Sequence, residues 1–458
     1  MSDAALHDFH TADNTLEVRH LRTRFFTREG QLPAVEDVSL TLARGRVLGL
    51  VGESGSGKSV TGFSIMGLID APGRVVGGEI LFKGKNLVGL PEADMRRLRG
   101  SRIAMVFQDP MSTLNPVQRV DAQMIEAVRA HRDVSRNAAR EQASEALAAM
   151  GIASPDERLR AYPHQLSGGM RQRVAIAIAM LHKPDLIIAD EPTTALDVTI
   201  QAQILSEVQT LVRTQGTSLI WITHDLSVVA GLADDIAVMY AGRIVEQGTV
   251  DAVLDRPQHP YTAGLIDSLP SLNTRGKRLT QIAGITPDLR SLPPGCAFAA
   301  RCTRATAVCS TPPLLGPSPA AQASEHGTHL VRCFHPGRHS NVRAETTALA
   351  RSKHARSLNC AASASALANA TRTPRHAGCA SETCSRRKRL REPSNMSILQ
   401  SCRAKWSVWS ANPAAESPRS AALSRASLRR PKAMCSWVDR TARPCRQPSC
   451  APRGWRSR

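Results

Sequence analysis

The chain has 458 residues and a formal net charge of +20, a balance that is typical of proteins that bind nucleic acids or membrane surfaces. The charge is unevenly placed, because residues 341–458 hold 24 Lys and Arg against 5 Asp and Glu, whereas residues 1–340 hold 35 against 34. The first 340 residues are therefore nearly neutral, and the sequence predicts no nucleic-acid partner for them. No cysteine precedes Cys296, which fits a reducing compartment.

Three regions differ in composition. Residues 16–270 alternate β-rich apolar runs with helical patterns, which indicates an α/β domain with a largely parallel sheet, and residues 110–170 favour a helical subdomain. Residues 271–340 are rich in Pro and Cys, and residues 341–458 in Arg, Ser, Ala and Pro. The N-terminus lacks the features of a secretory signal, and no apolar run reaches the roughly 18–20 residues that a membrane span needs. We therefore expect any work at a membrane to be done through a partner.

A phosphate-binding loop follows the apolar run 46–51, and a helix is predicted from Lys58. The segment fits GxxxxGK[ST], whose glycines let backbone N–H groups point into one concavity at a helix N-terminus. Lys58 would reach the β- and γ-phosphates of ATP, and Ser59 would bind Mg²⁺. The residues that we assign to ATP binding here are Gly52, Glu53, Ser54, Gly55, Ser56, Gly57, Lys58, Ser59 and Val60.

Two acidic residues lie at the end of the apolar run 186–191. We expect this strand to lie next to the phosphate-loop strand, so that Asp190 holds Mg²⁺ through water and Glu191 polarises the attacking water. Phosphoryl transfer needs such charge neutralisation and an oriented nucleophile more than covalent chemistry. His224 follows a third buried run, 219–223, and is a candidate sensor of the γ-phosphate. An isolated Asp-Glu pair or His is more often structural, and it is the neighbouring motifs that favour catalytic roles.

A further motif precedes the acidic strand by about twenty residues: Leu166, Ser167, Gly168, Gly169 and Met170. With these motifs in this order, residues 16–270 resemble the ATPases of ATP-binding cassette (ABC) transporters. The resemblance implies a P-loop NTPase fold with a RecA-like, mostly parallel sheet, an antiparallel β subdomain and a helical subdomain. It also implies that two cassettes sandwich two ATP molecules, with the 166–170 motif of one closing on the nucleotide of the other.

The same resemblance assigns roles to three more residues. Gln108 would contact Mg²⁺ and link the nucleotide to the subdomain that grips the membrane-embedded permease. Asp197 would belong to the D-loop, with Ala195 and Leu196. Phe25 is the candidate for stacking on adenine, with Phe26 adjacent to it.

A narrower resemblance, to the oligopeptide/dipeptide/nickel importer branch, is carried by residues 107–116, 259–262 and 294–298. It implies an ATP-hydrolysing subunit, peripheral on the cytoplasmic face of the inner membrane, that energises peptide uptake. The implied partners are two transmembrane permease subunits, a periplasmic substrate-binding protein, and a second ABC ATPase or a second copy of this chain. A soluble ABC ATPase of repair or translation and an exporter ATPase remain alternatives, and the substrate stays open among dipeptides, oligopeptides, glutathione and nickel.

Four cysteines precede the basic tail, with the spacing C-x5-C-x6-C-x23-C, at Cys296, Cys302, Cys309 and Cys333. No C-x2-C pair is present among them, which argues against a zinc ribbon. Iron–sulfur clusters take four thiolates at varied spacings. Some members of the importer branch resemble this pattern and hold a [4Fe–4S] cluster. A cluster, a zinc ion and free structural thiols all remain open.

The tail, residues 341–458, holds four of the five Trp but no Phe or Tyr. One interpretation is a disordered or nucleic-acid-binding basic extension. The other is translation out of frame, because back-translating residues 404–420 and reading from the third base permits a second phosphate loop. On this hypothesis the chain is the first half of a tandem two-cassette ATPase whose reading frame was lost between about 340 and 375.

Overall fold

The computed structural model describes residues 14–109, 113–194, 196–273, 279–319 and 329–337. The basic tail, and with it the hypothesis of a lost second cassette, lies outside these residues. So do residues 110–112 of the predicted importer motif and Ala195. None of the helices in the described part of the chain combines the length and the apolar character that crossing a membrane requires.

The described strands and helices follow one another along the chain as follows. The strands are β1 (Asn14–Thr27), β2 (Gly30–Ala43), β3 (Val47–Val51), β4 (Gly73–Phe82), β5 (Lys85–Asn86), β6 (Ile103–Val106), β7 (Leu186–Asp190), β8 (Ser218–Thr223), β9 (Asp235–Tyr240), β10 (Arg243–Thr249), β11 (Gly316–Pro317) and β12 (Leu330–Val331). The helices are α1 (Lys58–Met66), α2 (Glu92–Leu98), α3 (Val120–Arg129), α4 (Arg136–Ala149), α5 (Pro155–Leu159), α6 (Gly168–Met180), α7 (Val198–Gln215), α8 (Leu226–Leu232), α9 (Val250–Asp255) and α10 (Pro260–Asp267).

The larger sheet has the strand order β11-β12-β10-β9-β3-β8-β7-β6, and its strands from β9 to β6 are parallel. Every residue of β3, β7 and β8 is buried, as expected for central strands covered on both faces. We expected the strand that ends at Asp190 to lie next to the phosphate-loop strand, and this was wrong. β8 lies between them, because both β3 and β7 pair with it.

The smaller sheet is antiparallel, with the order β2-β1-β4-β5. Its apolar side chains, such as Leu16, Val18 and Ile80, share one core with Leu48 of β3 and Ile222 of β8. A second core holds residues of the predicted helical subdomain together with other side chains of the parallel sheet, Trp221 among them. Burial of apolar surface thus fixes the two sheets and the helices around the central strands.

The helical patterns after residue 120 form two helices, α3 and α4. Ser135 caps α4, since its side chain accepts a hydrogen bond from the N–H of Ala138. Ala139, Ala143 and Leu147 are buried at four-residue spacing, so one face of α4 packs on the core.

The Pro/Cys-rich region forms short 3₁₀ turns, including Ala299–Arg301 and Ala307–Ser310, and two short strands. β12 pairs with β10 in antiparallel register, with Glu246 opposite Val331. A two-residue strand is too short to show alternation, which is why the sequence did not predict this extension of the sheet.

Candidate nucleotide-binding site

The phosphate loop links β3 to α1 and depends on glycine at several positions. Gly55 and Gly57 have φ of 78° and 100°, in the left-handed region that favours glycine. A Cβ on Gly57 would lie 2.4 Å from the carbonyl oxygen of Ala34, and one on Gly52 would lie 2.1 Å from that of Met239. The loop therefore packs closely against neighbouring backbone and leaves its N–H groups at the start of α1.

Lys58 lies within the loop, with a relative exposure of 4%. Its Nζ donates hydrogen bonds to the carbonyl oxygens of Gly52 at 2.8 Å and Glu53 at 2.9 Å. Burial lowers the pKa of Lys58, although the carboxylates of Glu191 and Asp190 oppose this shift. The ammonium group is thus held by two carbonyls that phosphate oxygens can replace.

Ser59 and Asp190 meet across 131 positions of sequence, with the Ser59 hydroxyl donating to Asp190 Oδ1 at 2.9 Å. Asp190 is buried, which raises its pKa in spite of this hydrogen bond. Two oxygen atoms of the kind that Mg²⁺ prefers therefore lie side by side at the start of α1.

The remaining predicted catalytic residues contact Glu191. Its Oε2 accepts hydrogen bonds from Gln108 Nε2 at 3.2 Å and from Thr194 Oγ1 at 3.1 Å, and His224 Nδ1 lies 3.3 Å from it. Its backbone has φ of 44°, in the left-handed region that non-glycine residues adopt infrequently. Thr194 is a contact that sequence reasoning missed, because a lone Thr carries no motif.

The 166–170 motif begins helix α6. Ser167 caps this helix by accepting a hydrogen bond from the N–H of Met170 at 3.3 Å, while Ser167 and Gly168 are exposed. Asp197 caps α7 in the same way, accepting from the N–H of Ile200 at 2.9 Å. A Cβ on Gly169 would lie 2.7 Å from Ile200, so the motif and the predicted D-loop region pack on each other.

The two candidate adenine-stacking residues have different surroundings. A Cβ on Gly73 would lie 2.6 Å from the ring of Phe25, which is half-buried. The Phe26 ring lies 4.3 Å from the guanidinium of Arg74. The stacking role of Phe25 stays a prediction.

Glu53 is the centre of a network that the sequence did not predict. Arg301 donates to both carboxylate oxygens of Glu53, at 2.8 and 3.1 Å, and the Thr286 hydroxyl donates to one of them at 2.7 Å. The Tyr261 hydroxyl accepts a hydrogen bond from the Glu53 N–H at 2.9 Å. The Cys-rich region therefore contacts the phosphate loop directly.

The four cysteines that precede the tail all line one cavity: Cys296, Cys302, Cys309 and Cys333. Burial raises the pKa of the Cys296 thiol and raises that of Cys333 to about 11. Within the described ranges, no three His, Cys, Asp or Glu side chains lie close enough together to hold a single metal ion.

A glycine-rich phosphate loop, an Asp-Glu pair at the end of β7 and a cassette motif at the start of a helix define a P-loop ATPase of the ABC class. Residues 35–194 match the family model described as ABC transporter, and residues 245–309 match the one described as oligopeptide/dipeptide transporter, C-terminal region. The resemblance and the fold class that we inferred from the motifs are confirmed.

Two similar proteins narrow the family to which the chain belongs. It is 51% identical over 323 residues to the dipeptide transport ATP-binding protein DppD of Bacillus subtilis, covering 70% of this chain and 95% of that protein. It is 47% identical over 304 residues to the oligopeptide transport ATP-binding protein OppD of Escherichia coli, covering 66% and 90%. The chain belongs to this family of ABC transporter ATP-binding proteins, and its cassette is an ATP-binding ATPase domain.

Proposed function

We propose that this chain is the ATP-hydrolysing subunit of an importer that takes up dipeptides or oligopeptides. The observation that carries the proposal is that Gln108 and His224 meet at Glu191, next to the contact of Asp190 with Ser59 at the start of α1. The relatives of this chain are peptide transport ATP-binding proteins. The ATPase domain comprises residues 16–270, and residues 271–340 form the importer-type extension.

The loop residues 52–60 bind the phosphates of ATP through backbone N–H groups and Lys58. Ser59, Gln108 and Asp190 would hold Mg²⁺, which when bound would neutralise charge on the phosphates. The donor set fits this ion, because all three offer side-chain oxygens. Glu191 orients and polarises the attacking water, and His224 contacts the γ-phosphate. The hydroxyl of Ser56 supports a phosphate ligand, since it is buried and lacks a hydrogen-bond partner within the described residues.

Two cassettes are needed for hydrolysis, because the 166–170 motif, whose Ser167 and Gly168 are exposed, serves the nucleotide of a partner. That partner is a second ABC ATPase or a second copy of this chain. Two transmembrane permease subunits bind the pair at the cytoplasmic face of the inner membrane, and a periplasmic binding protein delivers the peptide. The match of residues 245–309 to the oligopeptide/dipeptide transporter C-terminal region favours import over the exporter and soluble alternatives.

The four thiols that line the cavity are proposed to hold a [4Fe–4S] cluster. A zinc ion is the alternative occupant of four cysteine thiolates. The four cysteines that line one cavity supply the number of thiolates that such a cluster takes. Anaerobically purified protein should contain iron and sulfide. Stoichiometric zinc, or no metal, would contradict the cluster.

The catalytic assignment is tested with Glu191→Gln, which keeps the hydrogen-bonding shape but removes the base. We expect retained ATP binding and a fall in ATP turnover of about 100-fold or more, in the range that a general base contributes. Glu141→Gln, an exposed change on α4, is the control. Turnover at the wild-type rate in Glu191→Gln would refute the role of this carboxylate.

The substrate class is tested in cells from which the gene that encodes this chain has been deleted. The wild-type chain should restore uptake of a labelled dipeptide or oligopeptide, and the Glu191→Gln variant should not. Restoration of nickel uptake without peptide uptake would refute the peptide proposal while leaving the ATPase assignment intact.

A further inference from the structure

Arg301 reaches the phosphate loop from the Cys-rich region, at the end of the 3₁₀ turn Ala299–Arg301. Its side chain is only 6% exposed and it bonds both carboxylate oxygens of Glu53. A guanidinium that donates to both oxygens of a carboxylate fixes the orientation of that carboxylate as well as its distance. Glu53 lies inside the loop, five residues before Lys58.

The guanidinium is held from several sides. Its Nε donates to the carbonyl oxygen of Ala283 at 2.9 Å, and the rings of Tyr240 and Phe298 each lie 5.8 Å from it. These contacts leave Arg301 little freedom to follow Glu53 if the loop moves.

The backbone that carries Arg301 is anchored as well. The Arg301 N–H donates to the carbonyl oxygen of Phe298 at 3.0 Å. Phe298 is 4% exposed and packs on Tyr240 and Tyr261, with ring centroids 5.3 and 5.5 Å away. The arginine is thus presented to the loop from a packed aromatic cluster.

Glu53 in turn contacts Lys58, so it links Arg301 to the lysine of the phosphate loop. The Glu53 carbonyl oxygen accepts a hydrogen bond from Lys58 Nζ at 2.9 Å, while its N–H donates to the Tyr261 hydroxyl. Although burial opposes ionisation, hydrogen bonds from Arg301 and Thr286 hold the pKa of Glu53 below its usual value. An unbroken set of contacts therefore runs from Arg301 through Glu53 to Lys58, the residue that meets the phosphates.

We propose that Arg301 is a positioning residue for ATP binding, which holds the phosphate loop and Lys58 in their nucleotide-binding arrangement through Glu53. This inference rests on the proposed ATP site. Removing one partner of a buried ion pair leaves the other charge uncompensated and destabilises the fold, so the melting temperature is measured beside ATP affinity to separate a misplaced loop from a weaker fold.

The test measures the dissociation constant of a fluorescent ATP analogue, together with KM and kcat for ATP, on the full chain. Arg301→Met should weaken binding and raise KM by about tenfold, a size typical of one lost charge-assisted interaction, with kcat changed much less. Glu53→Gln should have a similar effect, and the double variant should be no worse than either single one, because both remove the same contact.

Arg290→Met is the matched control. Arg290 also pairs with carboxylates, of Glu29 and Asp288, but its side chain is 50% exposed and it does not contact the loop. It should leave ATP binding and the KM unchanged.

Several outcomes would overturn the inference. One is unchanged ATP affinity in Arg301→Met and Glu53→Gln. Another is a lower melting temperature at constant affinity, which would show a merely structural role. If Arg301→Met does not fold, the milder Glu53→Gln decides alone. If the wild-type chain itself does not bind ATP, or Lys58→Ala binds it normally, the proposed function fails as well.

Discussion

A buried carboxylate at the contact between two helices should make the stability of this protein depend on pH. Glu207 on α7 lies 3.5 Å from Arg173 on α6 through its Oε1, and its other oxygen is buried without a hydrogen-bond partner in the described residues. Burial raises the pKa of Glu207 to about 7, against the opposing charge of Arg173. The folded protein therefore keeps a proton that the unfolded chain releases near pH 4.5.

The sign and size of the effect follow from this difference. Between pH 4.5 and about 7 the folded state binds more protons, so the free energy of unfolding falls as pH rises. The full difference in pKa corresponds to roughly 3 kcal/mol at 1.36 kcal/mol per unit. Since 24% of the side chain is exposed, water screens part of the charge, and we expect ~2 kcal/mol to be lost between pH 5 and pH 8.

Glu207→Gln removes the titration and keeps the shape. Arg173 stays hydrogen-bonded in this variant, because it also donates to Gln203 at 2.7 Å and to the carbonyl oxygen of Gly151 at 3.3 Å. In urea unfolding the variant should gain ~2 kcal/mol over the wild type at pH 8 and little at pH 5. Glu141→Gln, exposed on α4, should show no such gain. A difference between Glu207→Gln and wild type that does not change with pH would refute the reasoning.

Three further predictions concern the core and the tail. Gly49→Ala should cost about 1–3 kcal/mol of stability by chemical denaturation, because its Cβ would lie 2.3 Å from Val229. Gly77→Ala, with no atom nearer than 3.8 Å, should cost less, and equal costs would contradict the clash. Ser218→Ala should cost about 1–3 kcal/mol, because the buried hydroxyl bonds Thr15 and accepts from the Gly45 N–H; an unchanged denaturation midpoint would count against this. Deleting residues 341–458 should leave ATP binding intact and abolish any nucleic-acid binding, whereas lost ATP binding would assign the tail a role in the cassette.

Much of the site could be predicted from the sequence, because its parts are local. A phosphate loop is a strand, a run of glycines and a helix start in immediate succession, and residues 46–59 carry all three. Asp190 ends a fully buried strand and Glu191 follows it, and His224 follows another such strand. The order of these motifs sufficed to infer the ABC family, since each has a short pattern of its own.

Contacts between distant segments had no such pattern. Glu53 and Arg301 are 248 positions apart, and neither residue type nor spacing predicted that they would meet. The four cysteines showed a spacing, but only the folded chain shows that they line one cavity.

The sequence by itself thus determined the class of the protein, its phosphate-binding chemistry and the helix and strand pattern of the cassette. The tertiary structure decided which strands are neighbours, placing β8 between the phosphate-loop strand and the strand of Asp190. It also decided that Arg301 contacts Glu53 of the phosphate loop. The physical reason is the same in both cases. The order of parallel strands and the ion pairs depend on which surfaces pack together after long crossovers, whereas a sequence motif reports only on residues that are close along the chain.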